Sequence, residues 1–229
     1  LCFQETKAQP DQVDLSFLRD HGYHGHWNSA EKKGYSGVLT LSRKQPDHVV
    51  VGMDIPEYDR EGRILRSDFG DLTVLNCYFP SGTTGDIRQA VKMRFLNDFY
   101  HWVQDLRRSR PNLVVLGDYN IAHTEKDIHD PKGNKNSSGF LPEERAWLSS
   151  WLDSGFVDSF RHKHPDKIDY SWWSFRANAR SNNKGWRIDY QTVSSPLSER
   201  IVDAGHYPEA MHSDHCPVWL ELDLPMPGK

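Results

Sequence analysis

The chain has 229 residues and a formal charge of −4 at pH 7. Its length and its 37% of hydrophobic residues suit one compact domain with a sizeable core. No apolar stretch is long enough to cross a bilayer, and no signal peptide precedes the first strand, so we expect no membrane partner and a bacterial-type cytoplasmic or nucleoid location. The three cysteines are widely scattered and predict core residues, without a disulfide framework or a paired-thiolate metal site.

Strand-like apolar patterns mark the first half of the chain. They cover residues 1–4, 37–41, 64–66 and 72–78. The last two are predicted to pair across the turn at Gly70-Asp71, and a short helix is predicted near 12–20. Because the chain begins inside the first of these strands, we expect a further segment upstream.

A long amphipathic helix is predicted next, since apolar residues recur at helical spacing from Ile87 to Leu106. These side chains are predicted to lie in the core, and the helix is predicted to end before Pro111. A strand at 113–116 follows. The polar residues 123–138 then predict a long surface loop with little that can be buried.

The remainder of the chain combines one helix with short strands. The helix is predicted to begin at Pro142, because proline suits the first turn, and to end at Gly155. Strands are predicted at Val157, 170–173, 188–193 and 218–222. This alternation, with hairpins inserted, favours a layered α/β sandwich of two sheets covered by helices over a purely parallel sheet.

Acidic and amide side chains stand where predicted strands end. Asp118 and Asn120 follow the apolar run 113–116, and their spacing on an extended backbone points both side chains to the same side. Glu5 ends the first strand, and Asp189 and Asp214 accompany the later ones. Together these side chains offer only oxygen ligands. Mg²⁺ prefers oxygen ligands, and Mn²⁺ can bind to the same ones.

These residue types can hydrolyse a phosphodiester. Asp118 can deprotonate a water for in-line attack on phosphorus, while Asn120 orients that water or donates to the developing charge. His215, held by a carboxylate such as Asp189, can take part in proton transfer, although a histidine that bonds a loop is the commoner case. Tyr78 at its strand end either packs in the core or reaches a phosphate oxygen.

The segment 171–188 contains cations and aromatic residues but no acid. Its cations are Arg176, Arg180, Lys184 and Arg187, and its aromatic residues are Trp172, Trp173, Phe175 and Trp186. Two interpretations stay open at this point. The segment is either a solvated loop over buried aromatics or a surface that binds phosphates and stacks on sugars or bases.

Six motifs, in order along essentially the whole chain, resemble the exonuclease III family of abasic-site endonucleases. They are Leu1-Cys2-Phe3-Gln4-Glu5-Thr6-Lys7, Asn76-Cys77-Tyr78-Phe79-Pro80, Gly117-Asp118-Tyr119-Asn120, Phe140-Leu141-Pro142-Glu143-Glu144-Arg145, Gly185-Trp186-Arg187-Ile188-Asp189-Tyr190 and Ser213-Asp214-His215-Cys216-Pro217. The resemblance implies a four-layered, DNase-I-like α/β sandwich in a single domain over 1–229, lacking its first strand. It also implies Mg²⁺-dependent cleavage of double-stranded DNA 5′ to abasic sites by a monomer, with 3′→5′ exonuclease or 3′-phosphodiesterase activity.

The resemblance also implies roles for individual residues. The implied catalytic residues are Tyr78, Asp118, Asn120, Asp189 and His215. The implied metal site is drawn from Glu5, Asp118, Asn120, Asp214 and His215. The abasic sugar would bind to Trp172, Trp186 and Ile188, with Arg187, Arg180 and Lys184 near the DNA backbone.

One feature of the family is missing from this sequence. The family places a metal-site asparagine at the end of a strand that would precede Leu1. Two alternatives therefore stay open beside the repair enzyme. One is a phosphodiesterase of the same superfamily acting on a lipid or inositol phosphate, which the Trp172, Trp186 and Arg187 cluster disfavours. The other is a non-catalytic DNA-binding remnant.

Overall fold

The computed structural model describes residues 1–224, which divide into two compact units. Unit 1 consists of Leu1–Phe79 and His101–Asp118, and unit 2 of Pro80–Tyr100 and the chain from Tyr119 onward. No helix within residues 1–224 is long and apolar enough to cross a bilayer. A single domain over 1–229 stays a prediction.

The elements alternate between strands and helices along the chain. In order they are β1 (Cys2–Gln4), α1 (Ser16–Asp20), β2 (His24–Asn28), β3 (Val38–Ser42), β4 (His48–Val51), α2 (Pro56–Asp59), β5 (Ile64–Phe69), β6 (Leu72–Tyr78), α3 (Asp86–Ser109), β7 (Asn112–Asp118), α4 (Pro142–Asp153), β8 (Phe156–Asp158), α5 (Ser159–Lys163), β9 (Asp189–Ser194), β10 (Ile201–His206) and β11 (Val218–Leu222).

Unit 1 contains two sets of hydrogen-bonded strands that pack on each other. The first set is antiparallel, in the order β1-β3-β2. The second runs β4-β5-β6-β7, antiparallel up to β6 and then parallel between β6 and β7. The predicted hairpin at Gly70 is confirmed, with Phe69 opposite Leu72 and a positive φ of 60° at the glycine. This mixed pairing confirms the α/β class.

Unit 2 contains two antiparallel pairs, β8 with β9 and β10 with β11. Helix α5 lies against β9 and β10, and α4 lies against β8. The ring of Trp151 is the centre of the aromatic core, stacked on Phe156 with ring centroids 4.0 Å apart and tilted 5.6 Å from Phe99. Burying such large rings provides much of the driving force for folding this unit.

The structure corrects three sequence-based expectations. Residues 170–173 form no strand; Trp172 makes isolated bridges to Trp186 and His215 instead. The predicted surface loop 123–138 includes a 3₁₀ turn at Glu125–Asp127, and the Asp127 side chain is fully buried because it is charge-paired. On α3 the predicted core positions Phe95 and Phe99 are buried, but Ile87, in the first turn, is 84% exposed. The predicted bounds of α3 and α4 are confirmed to within two residues.

Candidate active site

Tyr78 and Asp118 lie side by side in unit 1, at the carboxyl ends of the parallel strands β6 and β7. They are register partners, so their side chains leave the same face of the strand pair. Glu5 directly follows β1, and its carboxylate lies close enough to the Tyr78 phenol to raise the pKa of that phenol. These three side chains are called the unit 1 group.

A buried asparagine holds the strand that carries Glu5 against the strand that carries Tyr78. Asn76, on β6, is fully buried and accepts a hydrogen bond from Gln4 Nε2 at 2.6 Å. Its own amide donates to the Leu39 carbonyl at 3.0 Å and to Thr40 Oγ1 at 3.2 Å. Because both ends of the carboxamide are bonded, β1 is tied to the middle of unit 1.

Tyr78 is held as a proton donor by its surroundings. Burial raises the pKa of its phenol, the negative charges of Asp118 and Glu5 raise it further, and the Arg63 guanidinium partly opposes them. Arg63 is itself almost fully buried, lies 5.1 Å from the Tyr78 ring centroid and donates to the Tyr78 carbonyl at 2.9 Å. The phenol therefore stays protonated at neutral pH.

His215 and Asp189 form a hydrogen-bonded pair in unit 2. The imidazole Nδ1 lies 2.9 Å and 3.1 Å from the two carboxylate oxygens of Asp189. Ser171 Oγ donates to the same carboxylate at 2.6 Å and accepts from the N–H groups of Ile188 and Asp189, both at 3.1 Å. In this arrangement Nδ1–H donates to the carboxylate, and Nε2 is the ring nitrogen that can exchange a proton.

The predicted sugar-pocket residues come together in unit 2. Trp172 and Trp186 meet edge to face with ring centroids 6.0 Å apart. Both pack on a buried apolar cluster that consists of Ala122, Ile128, Phe140 and Ile188. The Trp172 indole also donates to Asp214 Oδ2 at 3.0 Å. Two partly buried indole rings thus pack on one apolar cluster, and one of them bonds a carboxylate.

Arg187 is not placed to contact DNA, which corrects its predicted role. Its side chain is 1% exposed, and its Nε donates to Asp127 Oδ1 at 2.7 Å. The two terminal nitrogens donate to Asp158 at 2.7 Å and 3.2 Å. Phe160 and Tyr190 cover the guanidinium with ring centroids at 5.4 Å and 4.5 Å. A guanidinium satisfied in this way is a structural ion-pair partner.

Arg180 is likewise engaged inside unit 2. Its guanidinium lies 4.6 Å from the Trp173 ring centroid and donates to the carbonyls of Ser213, Pro208 and Ala210 at 2.7–2.8 Å. These bonds hold the loop that leads to Asp214. Lys184 is exposed, as a phosphate contact requires.

The donor chemistry of the unit 1 group fits a hard cation. Glu5 and Asp118 offer carboxylate oxygens, and Lys7 Nζ lies 3.1 Å from Glu5 Oε1. Within residues 1–224, no group of three or more His, Cys, Asp or Glu side chains is arranged to hold a metal ion. Mg²⁺ usually binds through one or two carboxylates and keeps several waters, so it does not require such a group.

Sequence reasoning missed several residues that position the predicted site. They are Arg63, Asn76, Lys92 and Ser171. Two of them carried a signal. Lys92 is a charge on the face of α3 that otherwise buries Phe95 and Phe99, and Asn76 is the first residue of one of the six motifs. Arg63 and Ser171 stand in ordinary strand or loop patterns, and only their tertiary contacts reveal them.

Comparisons with known proteins agree with this geometry. Residues 1–215 match the model of the Endonuclease/Exonuclease/phosphatase family. The chain is 43% identical to an exodeoxyribonuclease of Bacillus subtilis (strain 168), over 98% of this chain and 88% of that protein. It is 39% identical to the DNA repair nuclease APEX1 of Danio rerio, over 97% of this chain and 72% of that protein.

Solved structures agree as well. The 3′ phosphatase NExo from Neisseria, bound to a product DNA hairpin, matches with a TM-score of 0.92 at 29% identity, over 98% of this chain and 88% of that one. An AP endonuclease from Archaeoglobus fulgidus matches with a TM-score of 0.90 at 30% identity, again over 98% and 88%. The chain therefore belongs to the endonuclease/exonuclease/phosphatase family, in its exonuclease III group of abasic-site endonucleases.

Proposed function

We propose that the chain is a DNA repair nuclease that requires a divalent metal ion and cleaves double-stranded DNA on the 5′ side of abasic sites. Its relatives are named exodeoxyribonuclease, DNA repair nuclease and AP endonuclease, and one solved neighbour is a 3′ phosphatase bound to a DNA hairpin. These names support DNA as the substrate and 3′→5′ exonuclease or 3′-phosphodiesterase action as a companion activity. We propose a monomer as the active form.

One observation carries the abasic-site assignment. The Asp189–His215 pair lies next to Trp172, whose ring centroid is 6.5 Å from that of His215, and Trp172 packs with Trp186 on the apolar cluster. An abasic nucleotide presents a sugar without a base, so an apolar surface of indole rings beside a proton-transfer pair suits it. A highly charged head group would instead need a polar surface.

The proposed reaction requires proton transfer and stabilisation of the developing negative charge. Asp118 takes the proton of the attacking water, and Asn120 donates to the charge that develops on the phosphoryl group. The protonated Tyr78 phenol donates to a phosphate or leaving-group oxygen. His215, oriented by Asp189, donates to a phosphoryl oxygen.

The proposed metal ion is Mg²⁺, with Mn²⁺ as a substitute. Glu5 and Asp118 of unit 1 would provide its oxygen ligands. A bound divalent ion supplies electrostatic stabilisation of the negative charge that builds up on the phosphate.

The test uses a duplex oligonucleotide with one tetrahydrofuran site. We expect incision in Mg²⁺, loss of incision with a chelator, and a fall in kcat of about 10²- to 10⁴-fold for Asp118→Asn, the range for a lost general base. Asp166→Asn is the matched control, because Asp166 pairs with Lys126 at the surface and its side chain is 90% exposed. Full incision by Asp118→Asn, or in excess chelator, would refute the proposed mechanism.

The substrate class is tested on the same preparation. Undamaged duplex, a 3′-phosphate duplex and an inositol phosphate are compared with the tetrahydrofuran duplex under identical conditions. We expect the tetrahydrofuran duplex to have the highest kcat/KM. Faster turnover of the inositol phosphate would replace the repair assignment, and tight binding of abasic duplex without cleavage would favour a DNA-binding remnant.

A further inference from the structure

We propose that Lys92 is a positioning residue for the nuclease reaction, and that it acts by holding the backbone of Asn120 through a buried ion pair with Glu144. The inference rests on the proposed catalytic role of Asn120. All three residues belong to unit 2. Neither Lys92 nor Glu144 is assigned a task in the proposed reaction itself.

Lys92 and Glu144 form a fully buried salt bridge. Both residues have a relative exposure of 0%, and Lys92 Nζ lies 2.6 Å from Glu144 Oε1. Lys92 occupies the buried face of α3, one helical turn before Phe95 and Leu96. A buried ion pair contributes little net stability compared with an apolar pair of similar volume. A charge at this position therefore calls for a task other than packing.

Glu144 is fixed from several directions. Its Oε2 accepts from the backbone N–H groups of Gly139 at 2.6 Å and Leu141 at 3.0 Å. Its Oε1 accepts from Gln89 Nε2 at 3.0 Å as well as from Lys92. The carboxylate closes the first turn of α4 as a capping residue and at the same time anchors the ammonium group. The lysine is thus held by a rigid partner.

The second partner of Lys92 is the Asn120 main chain. Lys92 Nζ donates to the Asn120 carbonyl at 2.7 Å, and Asn120 has a left-handed backbone with φ of 53°. That conformation costs energy even for asparagine, which adopts it more readily than most non-glycine residues, and its surroundings help to hold it. The Lys92 ammonium group contributes to this by fixing the direction of the Asn120 carbonyl.

Other backbone groups of this segment are bonded mainly by neutral partners; the exception is the His123 carbonyl, which accepts from Arg145 Nε at 2.8 Å. Tyr119 N donates to the Ile188 carbonyl, Ile121 O accepts from Tyr190 Oη, Ala122 N donates to the Gly139 carbonyl, and His123 N donates to Tyr190 Oη, all at 2.7–3.1 Å. Lys92 is thus the charged side chain that holds the Asn120 carbonyl, while Arg145 holds the end of the segment at His123. Loss of the Lys92 charge is therefore expected to loosen Asn120 itself while the flanking residues stay anchored.

The test compares Lys92→Met with Gln89→Met in the full chain. Methionine keeps much of the lysine volume without the charge, and Gln89 contacts Glu144 without contacting the Asn120 carbonyl. Amide hydrogen exchange is followed for the peptide that covers 119–123, and single-turnover incision of the tetrahydrofuran duplex is measured with its Kd.

For Lys92→Met we expect exchange at the Asn120 and Ile121 amides of this peptide to rise at least about tenfold, while the Tyr119, Ala122 and His123 amides stay protected. The single-turnover rate should fall about 10- to 100-fold, because small misplacements of reacting groups have effects of this size. The Kd for duplex should stay within about twofold. Gln89→Met should leave both the exchange and the rate within about threefold of the unaltered chain, and Lys92→Arg should recover part of the rate.

Two outcomes would overturn the inference: unchanged exchange and rate in Lys92→Met, or equal losses in Lys92→Met and Gln89→Met. If Lys92→Met does not fold, the double variant Lys92→Met/Glu144→Met removes both charges and is measured in the same way. If the unaltered chain does not incise abasic duplex, the proposed function fails, whereas the exchange comparison still decides whether Lys92 holds the Asn120 backbone.

Discussion

Arg187 provides the sharpest contrast between a DNA-contact role and a structural role. Its guanidinium is buried and donates three hydrogen bonds to Asp127 and Asp158. The substitution Arg187→Met keeps much of the side-chain length and removes the charge. We therefore expect it to destabilise the fold, because two buried carboxylates lose their shared partner.

The magnitude follows from the contacts that remain. Removing one partner of a buried ion pair costs about 3–5 kcal/mol. Arg161 Nη2 still lies 2.6 Å from Asp127 Oδ1, so Asp127 keeps one cation while Asp158 loses the guanidinium. We therefore expect a loss near the lower bound, about 3 kcal/mol. For a chain of this size that corresponds to a fall in Tm of about 6–12 °C.

The assay measures thermal and urea unfolding together with the salt dependence of duplex binding. Lys184→Met is the matched control, because Lys184 is exposed and its loss should change the free energy of unfolding by less than about 0.5 kcal/mol. A phosphate contact at Arg187 predicts the reverse pattern: an unchanged Tm and a shallower slope of log K against log salt. That pattern would refute the structural role of Arg187.

Three further predictions concern the strand end, the tyrosine and the buried acid. Gly117→Ala should lower the free energy of unfolding by more than about 3 kcal/mol and reduce the soluble yield, because a Cβ there would lie 1.9 Å from the Cys77 carbonyl oxygen. Gly70→Ala is the control; a Cβ at Gly70 has open space around it, so this variant should lower Tm much less. Because the pKa of Tyr78 is raised, its phenol should stay protonated, and the ratio of wild-type to Tyr78→Phe incision rates should stay constant from about pH 6 to 9. A ratio that falls above about pH 8 would contradict a protonated phenol. Burial alone would raise the pKa of Asp127, but the charges and hydrogen bonds of Arg187 and Arg161 hold this pKa well below its usual value. The ionised Asp127 carboxylate therefore stabilises the fold above about pH 4, and this contribution is lost as the pH falls further. The difference in urea unfolding free energy between wild type and Asp127→Asn should therefore shrink below about pH 4, and a constant difference down to pH 3 contradicts this assignment.

Much of the local structure could be predicted from the sequence. Strand ends at Glu5, Tyr78 and Asp118 were visible because an apolar run stops at a polar residue, and these runs correspond to β1, β6 and β7. The helix from Pro142 was visible from its first-turn proline and acids. Such signals are local, so one stretch of chain contains everything needed to recognise them.

The partners of charged residues could not be predicted in this way. Arg187 stands in a segment without acids, yet its carboxylates come from Asp127 and Asp158, 60 and 29 residues away in the chain. Asp127 was assigned to a solvated loop for the same reason, since its burial depends on those distant cations. Composition of a segment indicates which charges it contains, but not whether water or another side chain balances them.

The sequence by itself thus determined the α/β class, the family and the identity of the polar residues at the strand ends, because periodicity, turn residues and short motifs are written locally. The tertiary structure alone decided the register that sets Tyr78 beside Asp118, the pairing of His215 with Asp189, and the burial of Arg187 and Lys92. These depend on contacts between residues far apart in the chain. Whether a buried charge is stable depends on the partners that folding brings to it.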